Sequence, residues 1–544
     1  MLGKMMDMPL SITSMIKHAA RFHSDTEIVS RTIEGPIHRY TYADSYQRIQ
    51  KLAHALVELG VQPGDRVATL AWNSYRHFEL YFAISGLGAV CHTINPRLFG
   101  DQISYIINHA QDKVIFVDLS FVPVLEGVVD QIGDDVEFVI MTDPDHMPES
   151  KLDDVQCYED LVTDQPDHYD WPELEENTAS SLCYSSGTTG NPKGVLYTHR
   201  STVLHAMGIC AADTMAISGR DAVLPVVPMF HVNAWGIPYA AAMSGAKLVF
   251  PGAGMDGASV FELLEQEDVT LTAGVPTVWL LLQQYFQAEN KTLPHLERVI
   301  VGGAALPASI IEAFEQDLGC KCLHAWGMTE MSPIGTIFHM KGDMKDMTSE
   351  QLMAYKVKQG HPVYGVEMKI VNDDDEALPH NGQDFGELLV RGPWITSGYF
   401  EDDEASAGSF DAEGYFRTGD VCTIDDRGFM QIVDRSKDVI KSGGEWISSI
   451  DLENIAVGHE AIAEAAVIGL SHPKWDERPL LICVKAEGAD VAAEDMLAMY
   501  KGKVADWWIP NEVAFVDELP HTATGKLLKT ALRKQFSDHT FSDA

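Results

Sequence analysis

Residues 184–194 read Tyr184-Ser185-Ser186-Gly187-Thr188-Thr189-Gly190-Asn191-Pro192-Lys193-Gly194. Five hydroxyl side chains, three glycines and one lysine fall within these eleven residues. Glycine lets successive backbone N–H groups turn toward a ligand at close range. Hydroxyls donate hydrogen bonds and lysine adds positive charge, so the stretch suits a polyphosphate. It departs from the usual P-loop, because Pro192 stands where the pattern counted from Gly187 needs glycine. On these residues alone a polar surface turn remains the lesser alternative.

Five further segments hold residues of chemical interest. They are Phe230-His231; Ala325-Trp326-Gly327-Met328-Thr329-Glu330; Thr418-Gly419-Asp420; residues 435–445, with Arg435, Lys437 and Lys441; and residues 520–526, ending in Gly525-Lys526. Each alone is weak. Trp326 could be a core aromatic, Asp420 a turn residue, and His231 a satisfied core histidine. Lys526 and Lys437 could be solvated lysines, and Arg435 could pair with any surface acid.

The elements that must position these residues are legible in outline. Thr41-Tyr42-Ala43-Asp44 resembles a capping box with Asp in the acidic position. Ile49, Leu52, Leu56 and Leu59 follow at helical spacing, and Gly60 ends the run. Residues 66–70, 114–117, 138–141 and 179–184 read as short buried strands, with a helix over 77–87. The order of strand 179–184, glycine-rich loop and helix 199–211 suits anion binding at a helix N-terminus. Residues 142–178, acidic and poor in periodicity, read as a surface connection. A second alternating run covers 222–227, 247–250, 271–273 and 298–301, the last leading into Gly302-Gly303-Ala304-Ala305. Small residues past a strand end let a flat ring approach, where open α/β sheets bind ligands. Alternating strands and helices predict α/β layers, with two related sheets over 40–140 and 180–330. After residue 360 glycine turns and short strands predict a small β-rich subdomain. The last hundred residues are long enough for a separate small α+β domain.

Composition limits the partners. The 544 residues exceed one ordinary core. A formal net charge of −41, from 80 acidic and 39 basic residues, repels DNA and anionic membranes. No nucleic-acid role is expected, and any anionic ligand needs a local basic set. The eight cysteines show no zinc-ligand spacing and read as core thiols in a reducing compartment. The first ten residues lack the apolar core of a secretory signal, and no stretch approaches 18 apolar residues. A soluble cytoplasmic protein is the expectation.

Taken in this order and at these separations, the six segments are specific. The chain resembles the adenylate-forming superfamily of acyl-CoA synthetases, luciferases and peptide-synthetase adenylation domains, over roughly residues 20–535. Residues 443–448 and 227–235 narrow the likeness to the fatty-acyl-CoA synthetase branch. Within it the resemblance runs to bacterial 3-methylmercaptopropionate-CoA ligases and their medium- and long-chain relatives. It implies an N-terminal nucleotide- and acyl-binding domain over 1–434, a hinge at 435–441 and a mobile C-terminal domain over 442–544. It also implies a two-step reaction. Mg-ATP and a carboxylic acid give acyl-AMP and pyrophosphate, and coenzyme A then takes the acyl group.

The resemblance also implies roles. Ser185, Ser186, Gly187, Thr188, Thr189, Gly190 and Lys193 would wrap the β- and γ-phosphates, with Thr188 and Glu330 at Mg²⁺. Thr329 would meet the α-phosphate. Gly303, Ala304, His324, Ala325, Trp326 and Gly327 would shape the adenine slot, with Trp326 as its stacking face. Family members usually have Gly-Tyr-Gly where Ala325-Trp326-Gly327 stands. Asp420 and Arg435 would hold the ribose, and Lys526 would grip the carboxylate and α-phosphate. Lys437 matches the hinge, and Lys441 and Trp446 the coenzyme side. His231, Val232, Trp235, Gly302 and Pro333 would line the acyl pocket, with Trp446 as its gate. The substrate expectation is 3-methylmercaptopropionate or a short- to medium-chain fatty acid, in a homodimer. A long-chain ligase and an acyl-AMP donor to a carrier protein are the alternatives, the latter set back by the chain ending at Ala544. A nucleotide-sensing binding protein is a non-enzymatic one.

Overall fold

In the computed structural model, which describes residues 1, 3–133, 135–185, 191–443, 445–486, 488–521 and 527–542, strands and helices alternate through most of the chain. Helix Tyr42–Glu58 begins at the capping box expected of it. Thr41 Oγ1 accepts from the Asp44 N–H at 3.2 Å, and Asp44 Oδ2 accepts from the Thr41 N–H at 2.9 Å. Ile49, Leu52 and Leu56 are buried on one face, and the left-handed Gly60 follows the helix end.

Contacts divide the chain into two compact units. The first comprises Met1–Ser185, Pro192–Glu367 and Arg391–Phe410. The second is built from Met368–Val390 and the described residues of Asp411–Ala544.

The first unit holds two large sheets. In the seven-stranded sheet the order is Gln156–Cys157, Glu137–Ile140, Asp112–Val117, Arg66–Leu70, Val90–Thr93, Ala179–Tyr184, Gly194–Thr198. All neighbours are parallel except the last pair, an antiparallel hairpin. The nine-stranded sheet has a parallel centre, Lys321–Gly327, Arg298–Val301, Leu271–Gly274, Ala222–Pro225, Lys247–Phe250 and Glu27–Arg31. Strands Ile37–Thr41, Ile334–Ile337 and His361–Pro362 extend its edges antiparallel. Two expectations are corrected. The glycine-rich loop is followed by strand Gly194–Thr198, not directly by helix His199–Cys210, so it joins a hairpin and has no helix N-terminus behind it. Residues 142–178 are not merely surface chain, since Tyr158 is buried and donates to Glu79 Oε2 at 2.7 Å. Trp171 fills the space that a Cβ on Gly86 would need, 2.4 Å away.

In the second unit, Glu367–Val371, Phe385–Arg391, Phe416–Ile424 and Met430–Arg435 form the small sheet anticipated after residue 360. A five-stranded sheet follows, centred on the antiparallel pair Ile462–His472 and Asp476–Lys485. Val467 and Leu481 enter one apolar cluster, and Ile468 and Leu480 enter another. Alternate residues thus face two cores, which is why these strands read as continuous apolar runs. Among the described residues, no helix is long and apolar enough to cross a membrane.

Four histidines of the first unit, His77, His199, His205 and His324, are buried, and burial pushes each below the usual histidine pKa. His205, pushed down to about 3, accepts the Ile334 N–H at Nε2, 3.2 Å away, and so is neutral when folded. Below the ordinary value of 6.5 only the unfolded chain takes up this proton, so stability is lost as pH falls toward 4. The Tm gap between the wild type and His205→Gln is expected to narrow from pH 7 to 4.5. A constant or widening gap would contradict a neutral buried His205.

Candidate functional site

The hydroxyl-rich loop hangs from a hairpin stem. Strand Ala179–Tyr184 pairs with Gly194–Thr198 in a register that sets Tyr184 opposite Gly194. The Ser185 N–H donates to the Lys193 carbonyl at 2.9 Å, and the Lys193 N–H to Ser185 Oγ at 3.1 Å. Ser186, Gly187, Thr188, Thr189 and Gly190 lie outside the described residues, as does Lys526. The stem is closely packed. A Cβ on Gly194 would lie 3.1–3.3 Å from Phe400, Leu182 and Tyr184.

Beside the stem, three side chains converge. Lys193 Nζ stands 4.7 Å above the ring of Tyr399. The Tyr399 hydroxyl donates to Glu330 Oε1 at 2.9 Å. Burial, with Glu330 beside it, raises the pKa of this hydroxyl, so it stays protonated and keeps donating. Glu330 is buried, and its carbonyl accepts from the Thr396 N–H at 2.8 Å. The Thr329 carbonyl accepts from Tyr197, on the second stem strand, at 2.6 Å. Lys193 and the adjacent pair Thr329 and Glu330, widely separated in sequence, are therefore brought together around Tyr197 and Tyr399. Tyr399 and Tyr197 were not singled out by sequence. Tyr197 lies in a short strand and Tyr399 in a connecting segment, and the hydroxyl contact of each is non-local.

A second group forms at the strand ends of the nine-stranded sheet. After Arg298–Val301 the chain turns outward, and Gly303 and Ala304 are exposed. Gly303 has φ +83°, a conformation that favours glycine. The two ring nitrogens of His324 lie 3.3 Å from the Ala304 carbonyl and 3.0 Å from the Val357 carbonyl. Burial lowers its pKa to about 4, so the ring is neutral and donates to one of the two. Trp326 is 93% removed from solvent and is seated against Gly335, where a Cβ would come within 2.6 Å of its ring. Gly327 is pressed on the Pro333 carbonyl, with 2.0 Å left for a Cβ. Trp235 packs its indole 3.1 Å from the Cβ position of Gly302, which also faces the Ala325 carbonyl. Val232 and Trp235 are buried, and His231 is half-buried beside them in sequence.

The remaining candidates belong to the second unit. Asp420 and Arg435 are register partners on adjacent strands, with Nε 2.8 Å from Oδ1. Asp420 is buried while Arg435 is half exposed, so the aspartate holds a guanidinium whose other face is open. Lys437 is exposed. Lys441 Nζ pairs with Asp373 at 3.0 Å and lies 5.0 Å above the Trp446 ring. Trp446 and Phe385 pack with ring centroids 5.5 Å apart, and both line a cavity of about 390 Å³.

The comparisons with known proteins agree with one another. The AMP-binding enzyme family matches residues 16–400, and the AMP-binding enzyme C-terminal domain matches 451–526. A 3-methylmercaptopropionyl-CoA ligase of Ruegeria lacuscaerulensis is 49% identical over 540 residues, covering 99% of both chains. A medium-chain-fatty-acid–CoA ligase of Ectopseudomonas oleovorans is 49% identical over 538 residues, covering 99% of this chain and 98% of that one. A crystal structure of an anthranilate CoA ligase with anthranoyl-AMP superposes with a TM-score of 0.85 at 24% identity, covering 98% of each chain.

The contact of Gly327 with Pro333 generates a sharp expectation. Gly327→Ala has no room against a backbone carbonyl and is expected to cost roughly 3 kcal/mol of stability or more. Gly342→Ala, with nothing within 4 Å of its Cβ position, serves as the control. Urea unfolding of the two variants checks this, and equal stabilities would contradict the geometry.

Proposed function

The chain belongs to the AMP-binding enzyme family, and from that premise we propose that it joins a small carboxylic acid to coenzyme A through an acyl-AMP. The best substrate reading is 3-methylmercaptopropionate, with medium-chain fatty acids next. The observation that carries this reading is the convergence of Lys193, Tyr399 and Glu330 beside the loop stem, in a chain that matches CoA ligases along its length.

The reaction needs positioning more than acid–base chemistry. A carboxylate resists a thiol because its leaving group would be oxide. In the first step a carboxylate oxygen attacks the α-phosphorus of ATP and the bond to pyrophosphate breaks. In the second the thiol, giving up its proton, attacks the acyl carbon and AMP leaves.

Each group has a task in that sequence. Ser185 and Lys193, with the loop residues 186–190, hold the phosphates that leave. Lys193 is steered by the Tyr399 ring and Glu330 by the Tyr399 hydroxyl. One buried carboxylate fits Mg²⁺, which takes most of its oxygens from phosphates and water. The ion, when bound, neutralises charge on the phosphates. Gly303 and Ala304 leave room for the adenine, with Trp326 as a wall. Asp420 positions Arg435 for the ribose. Lys526 and the hinge at Lys437 are assigned by family resemblance, as are coenzyme A contacts at Lys441 and Trp446. His231, Val232, Trp235, Gly302 and Pro333 are assigned to the acyl site. Trp235 over Gly302 favours a short acid, since the indole fills space that a long chain would need. A cytoplasmic homodimer completes the reading.

Coenzyme A thioester formation with a panel of acids, from 3-methylmercaptopropionate to palmitate, tests it. The highest kcat/KM is expected for the thioether acid or an acid of similar length. Lys526→Ala is expected to lose adenylation by about 100-fold or more while still converting supplied acyl-AMP to thioester. No thioester from any acid, or equal loss of both half-reactions in the variant, would contradict the proposal.

A further inference from the structure

The turn that follows His231 has an unusual backbone. Val232, Asn233, Ala234 and Trp235 have φ of 46°, 50°, 49° and 56°, and Gly236 follows at 74°. Left-handed conformations are unfavourable for residues with a Cβ, and they normally occur singly, at Gly or Asn. Valine is the least suited, because its branched Cβ crowds the backbone there. A run of four persists only where the surroundings over-determine it.

Within the turn itself, the surroundings do so through the Asn233 side chain. Asn233 is buried, and both ends of its amide are engaged. Its Nδ2 donates to Ser181 Oγ at 3.0 Å, and its Oδ1 accepts from Cys183 Sγ at 3.4 Å. Cys183 in turn lies 3.2 Å from Thr93 Oγ1. Ser181 and Cys183 alternate along strand Ala179–Tyr184 and so share one face. Leu182 and Tyr184, on the other face, are embedded in the apolar core of the seven-stranded sheet. That strand runs directly into Ser185 and the hydroxyl-rich loop. Upstream of the turn, Asn73 holds the chain. Its Nδ2 donates to the Pro225 and Val227 carbonyls at 2.8 and 2.9 Å, and its Oδ1 accepts from the Met229 N–H at 2.6 Å. Downstream, Trp235 meets Gly302.

We propose that Asn233 is a positioning residue that holds the left-handed turn bearing His231, Val232 and Trp235 in fixed register with the strand carrying the phosphate loop. This rests on the assignment of those three residues to the acyl site. Asn233 touches neither acid nor nucleotide. Its two hydrogen bonds set where the acyl-site side chains stand relative to the strand that presents Ser185. Removing them leaves the nucleotide side in place, because Lys193, Glu330 and the hairpin stem are held by other contacts. The acid side loses its reference.

Asn233→Gly separates this role from simple stability. Glycine accepts the left-handed conformation at position 233 without strain, so the variant removes the tie without adding strain of its own. Thioester formation is measured with acid and ATP varied separately, alongside Tm. For Asn233→Gly the expected result is a fall of about 100-fold in kcat/KM for the acid. The KM for ATP is expected to stay within about twofold, while the Tm falls by a few degrees and the chain stays folded at the assay temperature. Ser181→Ala is expected to give part of the same loss, and the double variant no more than Asn233→Gly alone. An Asn233→Gly variant with wild-type kcat/KM for the acid would overturn the proposal. So would an equal loss toward ATP, or additive effects in the double variant. A wild-type chain that makes no thioester from any acid would overturn the function reading and this proposal with it. A failure confined to the variants leaves the function reading standing.

Discussion

A chain with a formal net charge of −41 repels a nucleoside triphosphate through its general field. Whatever holds such a ligand must be local, made of backbone N–H groups, hydroxyls and a few cations set in place by other contacts. In the proposed function the first unit meets this constraint at the hairpin stem. Lys193 is kept beside Glu330 by Tyr399, whose ring faces the ammonium and whose hydroxyl donates to the carboxylate. The contact costs little in surface charge and places both signs where phosphate and a divalent cation would meet them. In the second unit, Asp420 does the same for Arg435, holding the guanidinium by one edge.

Rigid sheets make this possible. Both strands of the stem and the strand leading to Glu330 belong to the two large sheets, so the side chains they carry inherit fixed spacing. The side proposed to take the acid is built differently. It depends on a strained turn clamped by Asn73 and Asn233, two buried amides whose donors and acceptors are engaged. A buried amide serves this purpose well, because leaving either end unpaired is costly and the correct geometry satisfies both ends.

Much of the fold was legible where local pattern and tertiary packing agree. Strands Arg66–Leu70, Ala179–Tyr184, Lys247–Phe250 and Arg298–Val301 have the bounds their apolar runs indicate. The capping box at Thr41 and Asp44 is local chemistry and was read directly. What could not be read was non-local. The pairing of Ile28 with Leu248 brings the first strands into the nine-stranded sheet, and nothing near residue 28 signals it. Strand Gly194–Thr198 is only five residues long and starts at the last glycine of the loop, so it hid between the loop and the helix. Tyr399 carries no motif, and Asn233, although inside the stretch 227–235, is not singled out by its type. One matters through a hydroxyl contact across the fold, the other through a backbone conformation that its own sequence disfavours.

In the proposed function a carboxylate is activated on ATP before coenzyme A takes part. Exchange of labelled pyrophosphate into ATP, with coenzyme A absent, measures that step by itself. Exchange that requires 3-methylmercaptopropionate or a medium-chain acid, and is silent without it, is the expected result. No exchange with any acid, or exchange only when coenzyme A is supplied, would contradict the account.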